Sequence, residues 1–553
     1  MDIASQTDPP KALADTPHLS SRRLDTLAER VRRAEPDEST GVADAADERD
    51  AIDVVAPATT ERIGSVPACD GDDVADAVER ARAAQLEWAE TPATERAAVI
   101  DRFGDLVHEH REELLDILQV ETGKSRRTAV EELFDVPIGC TYLAEETPDA
   151  LADERRNGVV PGLTTATVTY EPVGVVGVIS PWNYPLTLSM ADALPALAAG
   201  NAVVCKPDEK TPYGALALSE LLEVAGLPDD LFQIVTGEGA TVGPALIDAV
   251  DYVAFTGSTE TGRTVAERAG RNLIDCSLEL GGNNPLVVLD DVDVEEAARG
   301  AVDACFSNAG QLCLAAERIY VADPVYESFL DAFVEETEAL TLGTGYDYED
   351  DLGSLIDADQ LDRVQSHVEA ARADGATVVT GGRTRPDVAP YCYEPTVLTD
   401  VDPDATVACE ETFGPVVSVT PVPDAAAAVE AANDSPYGLN ASVWTGDRER
   451  GAAVAREIDC GTVNVNDGFL ATWGAVDAPM GGFGESGLGR RHGPEGIRRY
   501  TESRTVGVSR VGPLGFPDRI PTEWFVRGAF AALGLTRTMS RGVRRLKRRV
   551  RSR

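Results

Sequence analysis

The sequence predicts an α/β protein with a doubly wound parallel sheet and a second α/β region beyond it. Three observations predict this. Strand-like and helix-like stretches alternate from Val173 to about residue 476. The first strand, Val173 to Ile179, is Val and Ile interrupted only by Gly174 and Gly177, as in strands buried on both faces. Loops rich in Gly, Pro and polar residues follow Ile179, Cys205 and Phe255, the strand ends where such sheets bind ligands.

Residues 1–55 are rich in Asp, Glu, Ala, Arg and Thr and poor in large apolar side chains, so a loose acidic segment is expected, with a short helix over Arg22 to Arg33. Order is expected from the strand-like run Thr60 to Val66. Helical periodicity then covers Asp73 to Glu90 and Thr94 to Thr122, with Trp88, Ile100, Phe103, Val107, Leu114, Leu115 and Leu118 as the buried stripe. Glu131 to Glu146 reads as a helix kinked or broken at Pro137. Asn157 to Tyr170 reads as a hairpin, Val159-Val160 then a Pro161-Gly162 turn, suited to pairing with another subunit. The alternating region supplies helix to Ala199, strand Ala202 to Cys205, helix Tyr213 to Ala225 and strand Phe232 to Val235. Helix Gly243 to Ala249, strand Tyr252 to Phe255 and a helix opening at Gly262 follow. A second alternating region runs from Asn284 to about Val476, and Gly496 to Val508 returns to strand character.

At 553 residues the chain exceeds one ordinary domain. No apolar run reaches bilayer-spanning length, and the N-terminus lacks a signal-peptide pattern, so a cytoplasmic protein is expected. Nine scattered cysteines without a CxxC pair argue against a disulfide framework and against a zinc site; no metal is expected. Net charge is -46, with 95 acidic against 49 basic residues, which opposes nucleic-acid binding. Lysine occurs only at 11, 124, 206, 210 and 547. That balance suggests a salt-rich cytoplasm, as in a haloarchaeal protein, where counterions screen the self-repulsion.

Four stretches carry chemistry. Ser307, Asn308, Ala309 and Gly310 crowd the approach to Cys313, a setting that brings backbone close to a ligand and suits a nucleophilic thiol. Glu279, flanked by Leu278 and Leu280 and followed by two glycines, is oddly placed for a surface charge; burial would make it a general base. Gly257-Ser258 after a strand, with Gly262 at a helix start, suits a phosphate at a helix N-terminus. Lys206, at a strand end beside Pro207, could meet a ribose or phosphate. Each signal has a plain structural reading: a buried cysteine, a solvated Glu, an ordinary turn, a surface Lys.

Together these stretches resemble the aldehyde dehydrogenase superfamily. The family's asparagine motif appears as Pro181-Trp182-Asn183-Tyr184-Pro185, its lysine motif as Lys206-Pro207-Asp208-Glu209, its glutamate motif as Leu278 to Gly282, and its cysteine motif as Gly310 to Cys313. Glu410 to Val416, Tyr437 to Leu439 and Ser486 to Arg490 add further matches. The resemblance spans about residues 57–510. It implies Cys313 as nucleophile, the Asn183 amide and the Cys313 N–H as oxyanion donors, and Glu279 as the base for thioester hydrolysis. It implies nucleotide contacts at Ser180, Trp182, Lys206, Glu209, Gly257, Ser258, Gly262, Leu280, Glu411 and Phe413. NAD is preferred over NADP, because Glu209 would repel a 2′-phosphate. The implied domains are 56–147 with 168–280 for NAD, 281–480 for catalysis, and 148–167 with 496–510 as oligomerisation strands of a homodimer or homotetramer.

The closest group is similar to the second type of succinate-semialdehyde dehydrogenase, which implies oxidation of succinate semialdehyde to succinate. Ala191 and Ser307 stand where well-studied succinate-semialdehyde enzymes place substrate-binding arginines, so an apolar or aromatic aldehyde is an alternative. A non-catalytic binding protein on this fold would have lost Cys313, Glu279 or Asn183, and all three are present. A cofactor-free thioester or ester hydrolase would not need Lys206, Gly257 and Glu411. Residues 511–553 read as a linker and a basic amphipathic tail. Trp524, Phe525, Phe530, Leu533 and Leu546 alternate there with arginines, and no acid follows Glu523. The tail suits an anionic membrane surface, the enzyme's own acidic body or a neighbouring subunit.

Overall fold

The computed structural model describes residues 10–14, 16–32, 51–158, 163–510, 515, 520–534 and 537. Two compact units divide it: one of residues 1–152 with 170–502, the other of 153–169 with 503–553.

Two sheets organise the first unit. The six-stranded sheet has the order Gly487–Leu488, Asp275–Glu279, Tyr252–Thr256, Val175–Ile179, Ala202–Lys206, Phe232–Ile234. All pairs are parallel except the edge strand Gly487–Leu488. The chain starts at the central strand Val175–Ile179, winds to one side and then returns to the other. That reversal makes the switch point where a crevice opens outside the strand ends. Register does the rest. Ile179 pairs with Lys206 on one side and Phe255 on the other, and Thr256 pairs with Glu279. The loops singled out in the sequence therefore start from one line across the sheet.

The strands form because both faces are covered. Val175, Val176, Val203 and Val204 are fully buried, each contributing roughly 1.5–3 kcal/mol of transfer free energy. Helices Pro185–Ala198 and Pro212–Val224 each begin with Pro at the first helical position, where the missing N–H costs nothing. The seven-stranded sheet runs Thr377–Thr380, Thr396–Thr399, Val416–Val422, Ala316–Ala322, Asn284–Val288, Asn440–Trp444, Thr462–Val465. Its strands are parallel except for Thr377–Thr380 at one edge.

Several expectations are corrected. Residues 16–32 are not loose, while 1–9, 15 and 33–50 lie outside the described residues. Helix Ser21–Ala28 is capped by Ser20 and buries Leu24 and Leu27, while Arg23 pairs with Glu113 and Glu220. Two leucines one turn apart were enough to dock a segment whose average composition is polar. The helix also starts and ends earlier than Arg22 to Arg33. Strand pairing begins at Ala51–Val55, which pairs with Arg62–Pro67, before the expected start at Thr60. Helix Arg126–Ala150 runs unbroken through Pro137 and Pro148, held by its packing against helix Ala93–Glu109.

In the second unit, strand Glu154–Asn157 pairs with Thr164–Pro172, which lies beside Thr501–Ser509. The first hairpin strand is thus Glu154–Asn157. Val159-Val160 and the Pro161-Gly162 turn lie outside the described residues, as does most of the basic tail. Residues 148–150 end a helix and Gly493–Arg498 form one, so neither belongs to the strands. Among the described residues no helix is long and apolar enough to cross a membrane, and no group of His, Cys, Asp and Glu could hold a metal ion.

Candidate active site

Cys313 follows a backbone that few sequences could adopt. Asn308, Ala309 and Gly310 all lie in the left-handed region, with φ of 52°, 54° and 71°. At Gly310 a Cβ would stand 2.1 Å from the Gly414 carbonyl oxygen, so only Gly fits the turn. Asn284 braces the same region. Asn284 Nδ2 donates to the Cys313 carbonyl at 2.7 Å and to the Ala315 carbonyl at 2.8 Å.

Two cavities meet at this cysteine. One, of about 230 Å³, is lined on the six-stranded-sheet side by Trp182, Asn183, Gly257, Ser258, Glu279 and Leu280, and on the other by Arg363, Glu411 and Phe413. The other, of about 350 Å³, is a largely apolar tunnel walled by Val130, Phe134, Leu188, Phe469, Trp473 and Met480. Asn183, Glu279, Cys313 and Leu188 line both. The three residues singled out for chemistry are therefore shared between the two cavities.

The electrostatics of the two reactive groups differ. Burial pushes the Cys313 thiol up to about 12, and the neighbouring Glu411 and Glu279 push the same way. Burial raises Glu279 to about 7, against the pull of Arg491 and Arg499. Glu279 is 5% exposed and its Oε1 has no hydrogen-bond partner in the protein. A buried carboxylate oxygen left open toward a cavity is free to engage water. The Asn183 side-chain amide donates to the Gln311 carbonyl at 3.0 Å, which ties the asparagine loop to the cysteine loop.

The nucleotide-contact residues gather with some exceptions. Lys206 is buried and bonds Glu209 at 2.7 Å. Ser258 caps helix Thr259–Asn272 by accepting from the Thr261 N–H at 3.3 Å. Gly257 and Gly262 are packing glycines: a Cβ on either would stand 2.6 Å from the Phe255 ring or 2.4 Å from Leu280. Glu411 Oε1 accepts the Gly282 N–H at 2.8 Å, and burial raises the carboxyl to about 7. The Phe413 ring meets Trp182 edge-on at 5.5 Å. Ser180 departs from expectation: its hydroxyl is paired with Ser189 at 3.0 Å, away from the cavity lining. Lys206, Glu209 and Gly262 also lie outside that lining.

These residues fit a dinucleotide. A lysine beside a carboxylate suits a ribose diol, a capped helix N-terminus suits a phosphate, and Glu411 suits a second ribose. A Cβ at Gly281 would reach 2.5 Å from Glu411 Oε2, so the bare glycine keeps that carboxylate in place.

Sequence reasoning missed several residues. Gln360 donates to the Phe413 carbonyl at 2.7 Å and Arg363 to the Glu411 carbonyl, both from a helix remote in sequence. Lys124 and Glu132 sit behind Asn183 with their side chains fully buried. Glu131 accepts from Ser307 at 2.9 Å and from Tyr184 at 2.8 Å in the tunnel wall. The rarity of lysine was the one sequence signal that could have flagged Lys124.

Fold and site define an oxidoreductase scaffold: a doubly wound sheet with a crevice outside its strand ends, lined in part by Cys313. The comparisons make this particular. The aldehyde dehydrogenase family model matches residues 43–506, and the chain belongs to that family. It is 52% identical over 467 residues to a putative succinate-semialdehyde dehydrogenase [NADP(+)] of Mycobacterium tuberculosis, covering 84% of this chain and 90% of that protein. Among solved structures, betaine aldehyde dehydrogenase of Staphylococcus aureus in complex with NAD+ matches with a TM-score of 0.83 at 32% identity, covering 89% of this chain and 97% of that one. An NADP-dependent enzyme of E. coli matches with a TM-score of 0.80 at 36% identity, covering 83% and 95%. The mycobacterial relatives give no support to the haloarchaeal origin expected from composition.

Proposed function

We propose that this chain oxidises an aldehyde with an apolar or aromatic body to its carboxylic acid, using NAD in preference to NADP. The tunnel carries the substrate part of the reading. Its walls are largely apolar, and Ser307, which stands where a semialdehyde enzyme would present an arginine, lies behind them with its hydroxyl bound to the carboxylate of the lining residue Glu131. A substrate carboxylate reaching that point would meet an acid. The tunnel's two arginines are committed elsewhere, Arg127 to Asp351 and Arg491 to Asp192.

Chemistry follows from the shared residues. Cys313 loses its thiol proton to solvent, its sulfur bonds to the aldehyde carbon, and the oxygen gains charge. The Asn183 amide and the Cys313 N–H hold that oxygen, each such donor being worth about 3 kcal/mol. When bound, oxidised nicotinamide would supply the hydride acceptor that turns the Cys313 adduct into a thioester. Glu279 takes a proton from water, which attacks the thioester, releases the acid and restores the thiol. Lys206 and Glu209 would hold one ribose, Ser258 the pyrophosphate and Glu411 the other ribose. Glu209 supports NAD because its charge opposes a 2′-phosphate.

The names of the mycobacterial relatives favour a second reading, succinate semialdehyde as substrate with NADP. One experiment separates the two: rates of nucleotide reduction with succinate semialdehyde, hexanal and benzaldehyde, each with NAD and NADP, with Cys313→Ala as control. Highest kcat/KM for hexanal or benzaldehyde supports the proposal. Highest kcat/KM for succinate semialdehyde overturns it.

Three further readings belong here. The domain division at residues 56–147, 168–280 and 281–480 is supported by the two sheets, each with its own core. Assembly into a homodimer or homotetramer through strand Thr501–Ser509 is supported by its almost wholly exposed surface; sedimentation as a monomer would remove it. Peripheral contact of a cytoplasmic enzyme with an anionic membrane is supported by the basic tail and by exposed Trp524, Phe530 and Leu533. Failure of the full chain to float with anionic vesicles would remove that one.

A further inference from the structure

We propose that Lys124 is a positioning residue: with Glu132 it clamps the Asn183 peptide, and so sets the Asn183 amide against the loop that carries Cys313. The inference rests on the role given above to Asn183 as an oxyanion donor.

The pair is hard to account for as a stability device. Both side chains have 0% exposure and their charged atoms lie 2.6 Å apart. Removing two charges from water costs several kcal/mol per ion, and an apolar pair of similar volume often serves a core as well. Its partners suggest a different task. Lys124 Nζ donates to Glu132 Oε1 and, at 2.8 Å, to the Asn183 carbonyl. It sits 4.2 Å from the centre of the Tyr184 ring. The other oxygen of Glu132 accepts the N–H groups of Leu186 at 2.8 Å and Thr187 at 3.1 Å. Those are orphan donors of helix Pro185–Ala198, which has no side-chain cap of its own. One ion pair therefore grips residues 183–187 from the carbonyl of Asn183 to the first turn of the helix.

The cysteine loop is held from the opposite side. Asn308 Nδ2 donates to the Asn183 carbonyl at 3.2 Å and to the Gln311 carbonyl at 3.1 Å. The Asn183 amide donates to that same Gln311 carbonyl. Two carbonyls and two amides thus lock the loops together, and Lys124 anchors the assembly to helix Arg126–Ala150 through Glu132. The Lys124 ammonium, with three hydrogens on one atom, serves the carboxylate and the carbonyl at once. Lys124 lines neither of the two cavities, so it acts through Asn183 rather than on substrate.

The test uses the full chain without nucleotide. Acylation of Cys313 by p-nitrophenyl acetate builds an oxyanion; alkylation by iodoacetamide does not. Both rates are measured for Lys124→Met, for Lys124→Met with Glu132→Gln, for Asn183→Ala, and for the triple combination. The paired substitution leaves no lone buried charge, and circular dichroism checks its fold. Asn308→Ala, which removes the other donor to the same carbonyl, is a second probe if the paired variant does not fold. Acylation should slow about 10-fold in the paired variant, while alkylation stays within about twofold. In the Asn183→Ala background the paired change should add less than about twofold, because both act through one donor. Factors that multiply, unchanged acylation, or equal slowing of alkylation would overturn the inference. If Asn183→Ala itself leaves acylation unchanged, the role of Asn183 fails first and the positioning role falls with it.

Discussion

Replacing Glu279 by Gln should make the protein slower and more stable at once. The magnitude comes from its burial. The folded carboxyl sits near 7 against an ordinary 4.5, and at about 1.4 kcal/mol per pH unit that difference is about 3 kcal/mol. The sign follows from linkage. The folded-state value is raised, so the native protein binds the proton more tightly than the unfolded chain. Stability is then lost as pH rises from about 4.5 to about 7, and the full penalty persists above that. Gln carries no charge and escapes the penalty. With roughly 2 cal/mol/K of unfolding entropy per residue, about 3 kcal/mol corresponds to a rise in Tm of about 2–3 °C at pH 8.5. The gain should shrink to below about 1 kcal/mol at pH 5. Turnover should fall by about 10²–10⁴, the usual contribution of a positioned base. The assay is p-nitrophenyl acetate hydrolysis with thermal melts at the two pH values. The burst of nitrophenol from Cys313 acylation should survive and the steady phase collapse. A lower Tm at pH 8.5, or loss of burst and steady phase together, would refute the assignment of Glu279 as a buried base acting after acylation.

Other perturbations test other parts of the reasoning. Gly310→Ala must place a side chain at φ 71° and 2.1 Å from the Gly414 carbonyl oxygen; strain alone costs about 1–3 kcal/mol, so a melt should show clear destabilisation and Cys313 alkylation should slow. Glu209→Gln removes the charge that opposes a 2′-phosphate and should raise the NADP-to-NAD ratio of kcat/KM by about 10-fold, roughly 1.4 kcal/mol of discrimination; an unchanged ratio would detach Glu209 from cofactor choice. Ser307→Arg should place a cation beside Glu131 at the tunnel wall, shifting the preference from hexanal toward succinate semialdehyde by steady-state kinetics. With a net charge of -46, Tm should climb as potassium chloride rises to about 2 M; a flat response would remove salt adaptation as the reason for the acidic composition.

Much of the fold was legible because it rests on local chemistry. Strand Val175–Ile179 announced itself as a run of Val and Ile interrupted only by Gly177, and the loops at 180–185, 206–212 and 257–262 announced themselves by Pro, Gly and charge. The meeting of Cys313, Glu279 and Asn183 was legible only through resemblance. No local pattern says that a strand ending at Glu279 and a left-handed turn at Asn308 share a cavity. Helix Ser21–Ala28 was half seen, since two buried leucines decide its docking and composition averages them away. Pro137 misled because a helix packed along its length can hold a proline that an isolated helix could not. Glu132, Gln360 and Arg363 were invisible because their roles depend on contacts between distant segments, and only the rarity of lysine pointed at Lys124.

The buried carboxylates sort themselves by what answers them. Glu121 accepts the N–H groups of Tyr213 and Gly214. Glu317 accepts those of Thr412 and Phe413. Glu132 is met by Lys124 and two amides, and Asp192 by Arg491, Arg499 and Tyr500. In each case the acid serves as a scaffold joint, holding loops that carry site residues: the Glu411–Phe413 loop by Glu317, the Asn183 loop by Glu132. Asp192 is held down to about 2 by its two arginines, despite burial. Glu279 lies within the influence of the same arginines, yet one of its oxygens is left without a partner and burial wins. Backbone donors alone do not hold a buried carboxyl down: burial raises Glu121 and Glu317 to about 8 although each accepts two N–H groups, and only Asp192, with two arginines, stays low. What sets Glu279 apart is an oxygen left without a partner beside the tunnel on a carboxyl that burial raises to about 7, which is the condition a base for water requires.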